Sequence, residues 1–430
     1  MALKKSAVLP LLAVLAHCVS GERERVKILS FGGNGMIGSE VLSRLLARGA
    51  YDVTVVSRGN WPFDSAERVR PHVHAVKCDR AKDAECAGLP DCDINTLHYC
   101  ADLMSVVNAT DRFEYVLDFS GYEAKWVHDA IHALKGKVGY YVYVSTDSVY
   151  EVCEERGTGR ERSSESDAVR PRDPEKRDEL RAADAYGDAK LAAEEALGDQ
   201  RDDGGFPWVA LRFSDVIGPR DNTFRWILYH LWIKFYHDLE IPLHVPEGMQ
   251  NVTASFTYVE DAASAIILAM DKREKAWDGA FNIAMEEKFT LPGALARMAE
   301  TLKITNTTTS GDSVEGSFFI YPTVFRGPVD VSKAKEVLGF TPTNAETAFR
   351  ETVQWYEEAF SKREAEREEM LRRFKNWVVP RSHHDRLLAA VGRLLGDAVT
   401  KKKYRSKRKG ELADIDAAAA AAAAAQREEL

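Results

Sequence analysis

Three things are scarce in this sequence of 430 residues: cysteine, an excess of positive charge, and long apolar runs. It has 58 lysines and arginines against 67 aspartates and glutamates, which gives a formal net charge of −9. That balance excludes a chain built to neutralise a phosphate backbone, so we do not expect nucleic acid as a partner. The apolar run near the start, Ala7 to Val19, is too short to span a bilayer, so we expect no membrane span.

Cysteine occurs six times, and the spacing matches no zinc-binding pattern. We therefore predict no metal site. Cys18 lies inside the apolar run, and the remaining five cysteines are Cys78, Cys86, Cys92, Cys100 and Cys153. An odd number leaves at least one thiol unpaired, and the sequence alone does not give the pairing of the others.

Both ends of the chain resemble addressing signals. Lys4 and Lys5 precede the apolar run and small residues follow it, so we predict that residues 1–21 form a secretory signal peptide. Residues 427–430, Arg-Glu-Glu-Leu, resemble the Lys-Asp-Glu-Leu retrieval signal of the endoplasmic reticulum. Because retrieval acts only on translocated chains, the two features together predict the lumen of the endoplasmic reticulum, with a retrieval receptor as partner. Glycosylation sequons compatible with a luminal glycoprotein stand at Asn108, Asn251 and Asn306.

From Val26 onward, short β-branched runs alternate with helical stretches, which predicts parallel strands joined by crossover helices. The helical pattern is clearest over Met36 to Ala47 and Glu123 to Leu134. We therefore predict an α/β fold, a Rossmann-type doubly wound parallel sheet that forms a dinucleotide-binding domain over residues 22–218. The predicted strands are Val26 to Phe31, Val53 to Ser57, Val73 to Cys78, Tyr115 to Phe119, Tyr140 to Ser145 and Trp208 to Arg212.

The rest of the chain divides by composition. Residues 154–181, rich in charge and proline, predict an exposed inserted loop. Residues 219–352 predict a smaller substrate-binding lobe, with helices from Phe224 to Tyr236 and from Val259 to Met270. Residues 353–430 predict a charged helical tail that contains a basic run at 401–409 and nine alanines at 417–425. We interpret the basic run as a solvated stretch, with contact to acidic membrane or RNA as the alternative.

A glycine-rich segment, Gly32-Gly33-Asn34-Gly35-Met36-Ile37-Gly38, follows the first predicted strand and opens the first predicted helix. Glycines at 32, 35 and 38 permit a tight turn, a close approach of the backbone to a pyrophosphate, and close packing of helix on strand. In this position the pattern predicts dinucleotide binding.

The end of the second predicted strand bears on the choice of cofactor. Ser57 and Arg58 stand where a carboxylate would accept hydrogen bonds from a ribose 2′-hydroxyl. A guanidinium there suits a 2′-phosphate, so the sequence favours NADP, with NAD left open. Asp79, after the third strand, stands where an acidic side chain could meet the adenine amino group.

Tyr186 and Lys190 lie four residues apart, which places a phenol and an ammonium on one helical face. Of the 15 tyrosines, only Tyr186 has a lysine four positions on. A nearby positive charge lowers the pKa of a phenol, which could then act as a base toward an alcohol while hydride leaves for a nicotinamide. Thr146, at the end of a predicted strand, supplies a hydroxyl to bond the reacting oxygen.

Six segments in this order resemble the NAD-dependent epimerase/dehydratase family of extended short-chain dehydrogenases, from Val26 to about Thr343. The resemblance implies Thr146, Tyr186 and Lys190 as the catalytic trio, and Gly32, Gly35, Gly38, Arg58 and Asp79 as cofactor ligands. The segments are the glycine-rich loop, Ser-Thr-Asp-Ser-Val-Tyr at 145–150, Tyr-Gly-Asp-Ala-Lys at 186–190, Leu-Arg-Phe-Ser-Asp-Val-Ile-Gly-Pro at 211–219, Phe-Thr-Tyr-Val-Glu-Asp-Ala at 256–262 and Asp-Val-Ser-Lys-Ala-Lys-Glu-Val-Leu-Gly-Phe at 330–340.

The chain departs from that family pattern in three respects. Asp147 is similar to the acid of sugar-nucleotide 4,6-dehydratases, but Ser148 replaces the glutamate that follows it there, which argues against dehydration. Asp215 replaces the usual asparagine before the Gly-Pro, and no phosphate-clamping arginine is recognisable in the second lobe.

The resemblance leaves epimerisation or simple oxidoreduction at a hydroxyl of a sugar or nucleotide-sugar substrate. It leaves a homodimer open. The alternative is a non-catalytic dinucleotide- or RNA-binding protein on the same fold, because residues 57–78 also resemble chloroplast stem-loop RNA-binding relatives.

Overall fold

The computed structural model describes residues 25–81, 100–157, 159–312 and 321–396. The predicted signal peptide, the basic run, the alanine tract and the retrieval-like ending lie outside these ranges, as do Cys86 and Cys92.

A seven-stranded parallel sheet forms the centre of the molecule, in the order β10-β6-β5-β4-β1-β2-β3. The six predicted strands are confirmed with ends shifted by no more than two residues. Strand β10 was missed because its sequence, Gly-Ala-Phe-Asn-Ile, has a single β-branched residue. The strands are β1 (Val26–Phe31), β2 (Tyr51–Ser57), β3 (His74–Lys77), β4 (Tyr115–Asp118), β5 (Tyr141–Thr146), β6 (Trp208–Phe213), β7 (Asp215–Ile217), β8 (Leu243–His244), β9 (Thr253–Tyr258), β10 (Gly279–Ile283), β11 (Lys288–Thr290) and β12 (Thr309–Ser310).

Helices cover both faces of this sheet, which confirms the doubly wound α/β class. Apolar residues of α1 and α9 are buried against one face, and those of α3, α4 and α6 against the other. The helices are α1 (Met36–Ala47), α2 (Ser65–Arg68), α3 (Ala101–Ala109), α4 (Ala124–Ala133), α5 (Pro174–Ala183), α6 (Ala185–Asp202), α7 (Arg225–Lys234), α8 (Tyr236–Leu239), α9 (Val259–Lys272), α10 (Leu291–Leu302), α11 (Ala345–Lys362), α12 (Glu364–Trp377) and α13 (His384–Leu395).

A second apolar core lies beyond the carboxyl ends of the strands. It contains the buried aromatic and aliphatic residues of α7, buried residues of α10 to α13, and residues of the three-stranded sheet β11-β9-β7. Because β7 begins two residues after β6, this unit sits directly over the edge where the loops of the main sheet emerge. Strand β10 and helix α9 fall within the predicted lobe 219–352 yet pack on the main sheet, so the two units are interleaved along the chain.

The charged segment 154–181, predicted as a loop, contains a helical turn and most of α5. Asp173 caps α5 by accepting the amide of Glu175, and Pro174 suits the first helical turn. None of the residues of α5 is buried, because the segment has almost no large apolar side chains.

A disulfide bond lies at the β3 edge of the main sheet. Cys78, just after β3, forms a disulfide with Cys100, just before α3, with the Cα atoms 5.6 Å apart. Cys153 is a buried free thiol. No helix within the described ranges combines the length and the apolar character needed to cross a membrane.

Candidate active site

The glycine-rich loop that joins β1 to α1 adopts a backbone conformation in which side chains at some of its glycines would clash. Gly32 has a φ of +80°, and a Cβ on Gly38 would stand 2.3 Å from the Cα of Gly33. The first turn of α1 carries no acidic residue. A compact backbone loop at a helix N-terminus without competing negative charge suits a pyrophosphate, so the predicted glycines fit a dinucleotide.

Asn222 lies at the same helix N-terminus, although sequence reasoning did not single it out. Its Oδ1 accepts the amide of Met36 at 3.2 Å and stands 3.4 Å from the position of a Cβ on Gly35. The side-chain oxygen thus satisfies a backbone donor of the kind that a phosphate oxygen would otherwise meet.

The other two predicted cofactor residues stand at the neighbouring strand ends. Arg58 is exposed directly after β2, whose last residue, Ser57, pairs with Lys77 of β3. Asp79 is half-buried and accepts the amide of Ala81 at 3.2 Å. Both lie at the carboxyl edge of the sheet, where the glycine loop also begins.

Lys190 is buried in the middle of α6 and reaches across to the main sheet. Its Nζ donates to the carbonyl oxygens of Gly121 at 3.0 Å and Val144 at 2.6 Å. Phe119, two residues before Gly121, lies 3.1 Å from the position of a Cβ on Gly32. The ammonium therefore lies close to the glycine loop, and burial lowers the pKa of Lys190 to about 7.

Tyr186 lies in the first turn of α6, where tight packing fixes the backbone. Asp184 caps the helix by accepting the amide of Gly187 at 2.7 Å. A Cβ on Gly187 would stand 2.3 Å from the carbonyl oxygen of Ser148, so the helix start is pressed against the turn that follows Thr146.

The electrostatics of Tyr186 differ from the prediction that Lys190 lowers its pKa. Burial raises the pKa of Tyr186, and Arg225 is the cation that opposes this rise. The Lys190 ammonium is turned to the two carbonyl oxygens and is not among the main influences on the pKa of Tyr186. Within the described residues, no hydrogen bond joins the side chains of Thr146, Tyr186 and Lys190.

Thr146 ends β5 and caps the short helical turn that follows, since its Oγ1 accepts the amide of Ser148 at 3.2 Å. The next residue, Asp147, is 3% exposed, and its Oδ2 has no hydrogen-bond partner in the described part of the chain. Burial, together with the nearby Asp215, raises the pKa of Asp147 well above its usual range. The rise favours the protonated, neutral form of Asp147.

Arg225, which opens α7, was not recognised in the sequence. Its Nη1 donates to Asp215 Oδ1 at 2.8 Å, and its guanidinium lies over the ring of Tyr321, 5.4 Å from the centroid. The signal that could have found it is its place six residues after Pro219, the end of the Gly-Pro segment.

Tyr122 adds an exposed aromatic ring at the same edge. The ring is 49% exposed, and its centroid lies 5.7 Å from the Nζ of Lys190. It follows Gly121, whose carbonyl binds that ammonium, so a phenol stands beside the catalytic candidates.

Comparison with known proteins gives a consistent result. A model of the family described as the NAD dependent epimerase/dehydratase family matches residues 28–284. An uncharacterized UDP-glucose epimerase of Bacillus subtilis is 23% identical over 343 residues, which cover 74% of this chain and 94% of that protein.

Two solved structures are similar in fold. The UDP-glucuronic acid 4-epimerase of Bacillus cereus in complex with NAD is 20% identical, with a TM-score of 0.56, over 79% of this chain and 99% of that one. The dTDP-glucose 4,6-dehydratase of Bacillus anthracis in complex with NAD is 18% identical, with a TM-score of 0.58, over 77% and 97%.

Proposed function

Because the chain belongs to the NAD dependent epimerase/dehydratase family, we propose that it acts on a hydroxyl of a nucleotide sugar with Tyr186 as the proton-transfer group. One observation carries the proposal: the start of α6 packs against the turn after Thr146, while Lys190 of the same helix reaches the carbonyl of Gly121 beside the glycine loop. Phenol, ammonium, hydroxyl and dinucleotide cradle therefore share one edge of the sheet.

The cofactor would lie along that edge. Gly32, Gly35 and Gly38 would hold the pyrophosphate at the start of α1, with Arg58 and Asp79 toward the adenosine end. When bound, NAD supplies a hydride acceptor for an alcohol carbon and, once reduced, a hydride donor.

Side chains of the protein accept and donate the proton of the substrate hydroxyl. Tyr186 takes the hydroxyl proton when an alcohol is oxidised and returns it when a carbonyl is reduced. The structure holds the phenol in its protonated form, because burial keeps its pKa high. Positive charge from Arg225 favours the phenolate that the oxidation step needs. Thr146 would hydrogen-bond the reacting oxygen.

The similar proteins support the substrate class. The matched proteins act, by their descriptions, on UDP-glucose, UDP-glucuronic acid or dTDP-glucose. Of the possible outcomes we propose epimerisation or oxidoreduction, since Ser148 lacks the carboxylate that a dehydration would use beside Asp147.

The test compares Tyr186→Phe with the full chain on a panel of nucleotide sugars. We expect wild-type protein to shift the fluorescence of NADH and to turn over a panel member, and Tyr186→Phe to keep NADH binding while losing turnover. Tyr51→Phe, a tyrosine remote from the site, serves as the control. Full turnover by Tyr186→Phe would contradict the mechanism, and NADH binding without turnover of any sugar would favour the non-catalytic alternative.

For location, we propose the lumen of the endoplasmic reticulum. The Cys78–Cys100 disulfide suits an oxidising compartment, and the sequon residues Asn108, Asn251 and Asn306 are all exposed. Expression in eukaryotic cells followed by endoglycosidase treatment tests this. A shift in gel mobility that is lost when the three asparagines are replaced by glutamine supports the proposal, and an unglycosylated cytosolic protein contradicts it.

A further inference from the structure

Arg225 lies at the carboxyl edge of the main sheet, on the side of the second apolar core, and its side chain is held there by three contacts. Its Nη1 binds Asp215, its Nε donates to Thr223 Oγ1 at 3.1 Å, and its guanidinium stacks over Tyr321. A side chain with three such contacts keeps one orientation. Its planar fork is thus fixed in space before any ligand arrives.

Asp215, which binds Arg225, lies close to the turn after Thr146. Phe213 of β6 pairs with Thr146 of β5, and Asp215 follows two residues later. The start of α6, with Tyr186 and Gly187, packs on the same turn through the carbonyl of Ser148. The mutual electrostatic influence of Arg225 and Tyr186 agrees with this placement.

The charge of Asp215 is fully met by donors. Besides Arg225, it accepts the amide of Thr323 at 2.9 Å and the hydroxyl of Thr323 at 2.8 Å. Asp215 therefore positions Arg225 and the loop at 321–326, and it has little capacity left for a substrate.

Unused donors remain around Arg225. Its Nη2 makes no hydrogen bond within the described ranges, and its side chain keeps 29% exposure. The Tyr321 hydroxyl and Asp147 Oδ2 are buried and have no partner among the described residues. Burial raises the pKa of Asp147 well above its usual range, which favours its protonated form, a hydrogen-bond donor. An acceptor-rich group at this position would satisfy these donors.

We propose that Arg225 recognises a carboxylate on the sugar ring of the substrate, next to the carbon that Tyr186 serves, so that the enzyme prefers an acidic nucleotide sugar over a neutral one. This inference rests on the proposed function and narrows its substrate class. A guanidinium that is held by one aspartate and offers its other edge to a second carboxylate gives charge-assisted hydrogen bonds that a hydroxymethyl group cannot match.

The experiment measures binding of UDP-glucuronic acid, UDP-glucose and UDP by calorimetry in the presence of NADH. The proteins are wild type, Arg225→Gln, Arg225→Lys and the control Arg201→Gln. Arg201 is similarly half-buried and pairs with one aspartate, Asp278, but lies at the far end of α6. Thermal melting and NADH binding establish that each variant folds.

We expect wild type to bind UDP-glucuronic acid more tightly than UDP-glucose. Arg225→Gln should lose about tenfold or more for the acidic sugar, the scale of one charged hydrogen bond, with little change for UDP-glucose or UDP. Arg225→Lys should keep part of the preference, and Arg201→Gln all of it.

Equal losses for all three ligands in Arg225→Gln would show that the arginine holds the pyrophosphate, and this would overturn the inference. An unchanged preference for the acidic sugar would overturn it as well, while leaving the proposed function intact. If wild type binds none of the three ligands, the nucleotide-sugar proposal fails and this inference fails with it.

Discussion

The carbonyl oxygen of Ser148 lies 2.3 Å from the point that a Cβ atom on Gly187 would occupy. No real side chain tolerates that distance from a backbone atom, so only glycine lets α6 approach the turn after Thr146. The approach sets the position of the neighbouring Tyr186. Gly187 therefore acts on the site through backbone shape, without touching a substrate.

Gly187→Ala should push the start of α6 away from the turn. We expect a loss of about 1–3 kcal/mol in the free energy of unfolding, as for other overpacked sites, and a large loss of turnover. Gly198→Ala in the same helix is the matched control, because its Cβ would meet only Trp208, at 3.9 Å. That variant should gain about 0.5–1 kcal/mol from helix propensity. Chemical denaturation and an activity assay measure both, and equal behaviour of the two variants would contradict the packing argument.

The buried Lys190 should make stability depend on pH in a defined direction. Its pKa is about 7 in the folded chain and 10.5 ordinarily, so between these values the unfolded chain holds a proton that the folded chain has released. The free energy of unfolding of wild type, relative to Lys190→Met, should therefore rise with pH, by up to about 1.4 kcal/mol per pH unit. Denaturation curves of both proteins across that window provide the measurement. A difference that does not vary with pH would show that the ammonium stays charged.

Glu194 and Arg212 form an ion pair at 2.6 Å whose side chains are 5% and 6% exposed. Ser145, the neighbour of Thr146, donates to the same carboxylate at 2.5 Å. Glu194→Gln should cost about 3–5 kcal/mol in the free energy of unfolding, because it leaves a buried guanidinium without its counter-charge.

The matched control for this pair is Glu358→Gln, which removes the exposed Lys362–Glu358 pair on α11. It should cost no more than about 1 kcal/mol. Urea denaturation compares the two variants, and a loss of similar size in both would mean that burial of the first pair is unimportant.

Arg58 bears on the choice between NADP and NAD. If it contacts a 2′-phosphate, Arg58→Ala should weaken NADPH binding by about fivefold at most, since the side chain is exposed, and should leave NADH binding unchanged. Arg172→Ala, also exposed, is the control. Fluorescence titration at low salt measures both cofactors. Tighter binding of NADH by wild type, with no effect of the substitution, would remove Arg58 from the cofactor site.

Much of the fold could be predicted from the sequence because its signals are local. The β-branched runs and the glycine loop follow from nearest-neighbour chemistry, and β1 and α1 have the predicted limits. Strand β10 was missed because it has a single β-branched residue and its place depends on pairing with β6, a contact between residues about 70 positions apart in the sequence. The helix in the charged segment 154–181 was missed because capping by Asp173 outweighs a composition typical of loops.

The site was predictable only in part. The spacing of Tyr186 and Lys190 predicted that both lie on one face of a helix. It did not predict that the Lys190 ammonium binds the carbonyl of Gly121, because that bond depends on how closely α6 approaches the sheet. Arg225 and Asn222 lie far along the chain from the glycine loop and the Tyr/Lys helix. Their roles arise from the fold, and the local sequence offers only the place of Arg225 six residues after Pro219 as a signal.

Strand β10 comes from the second half of the chain but pairs within the main sheet, and this limits which segments can be exchanged between this protein and its relatives. Strand β6 has β5 on one side and β10 on the other, and β10 is supplied only after the residues of α7 and α9. In a chimera that joins residues 22–218 to the second half of a distant relative, a strand from that relative would have to pair with the exposed edge of β6. Otherwise the amides and carbonyls of that edge would stay unpaired. Any exchange of specificity between relatives should therefore transplant the segments around Arg225 and leave residues 253–283 with their native partner.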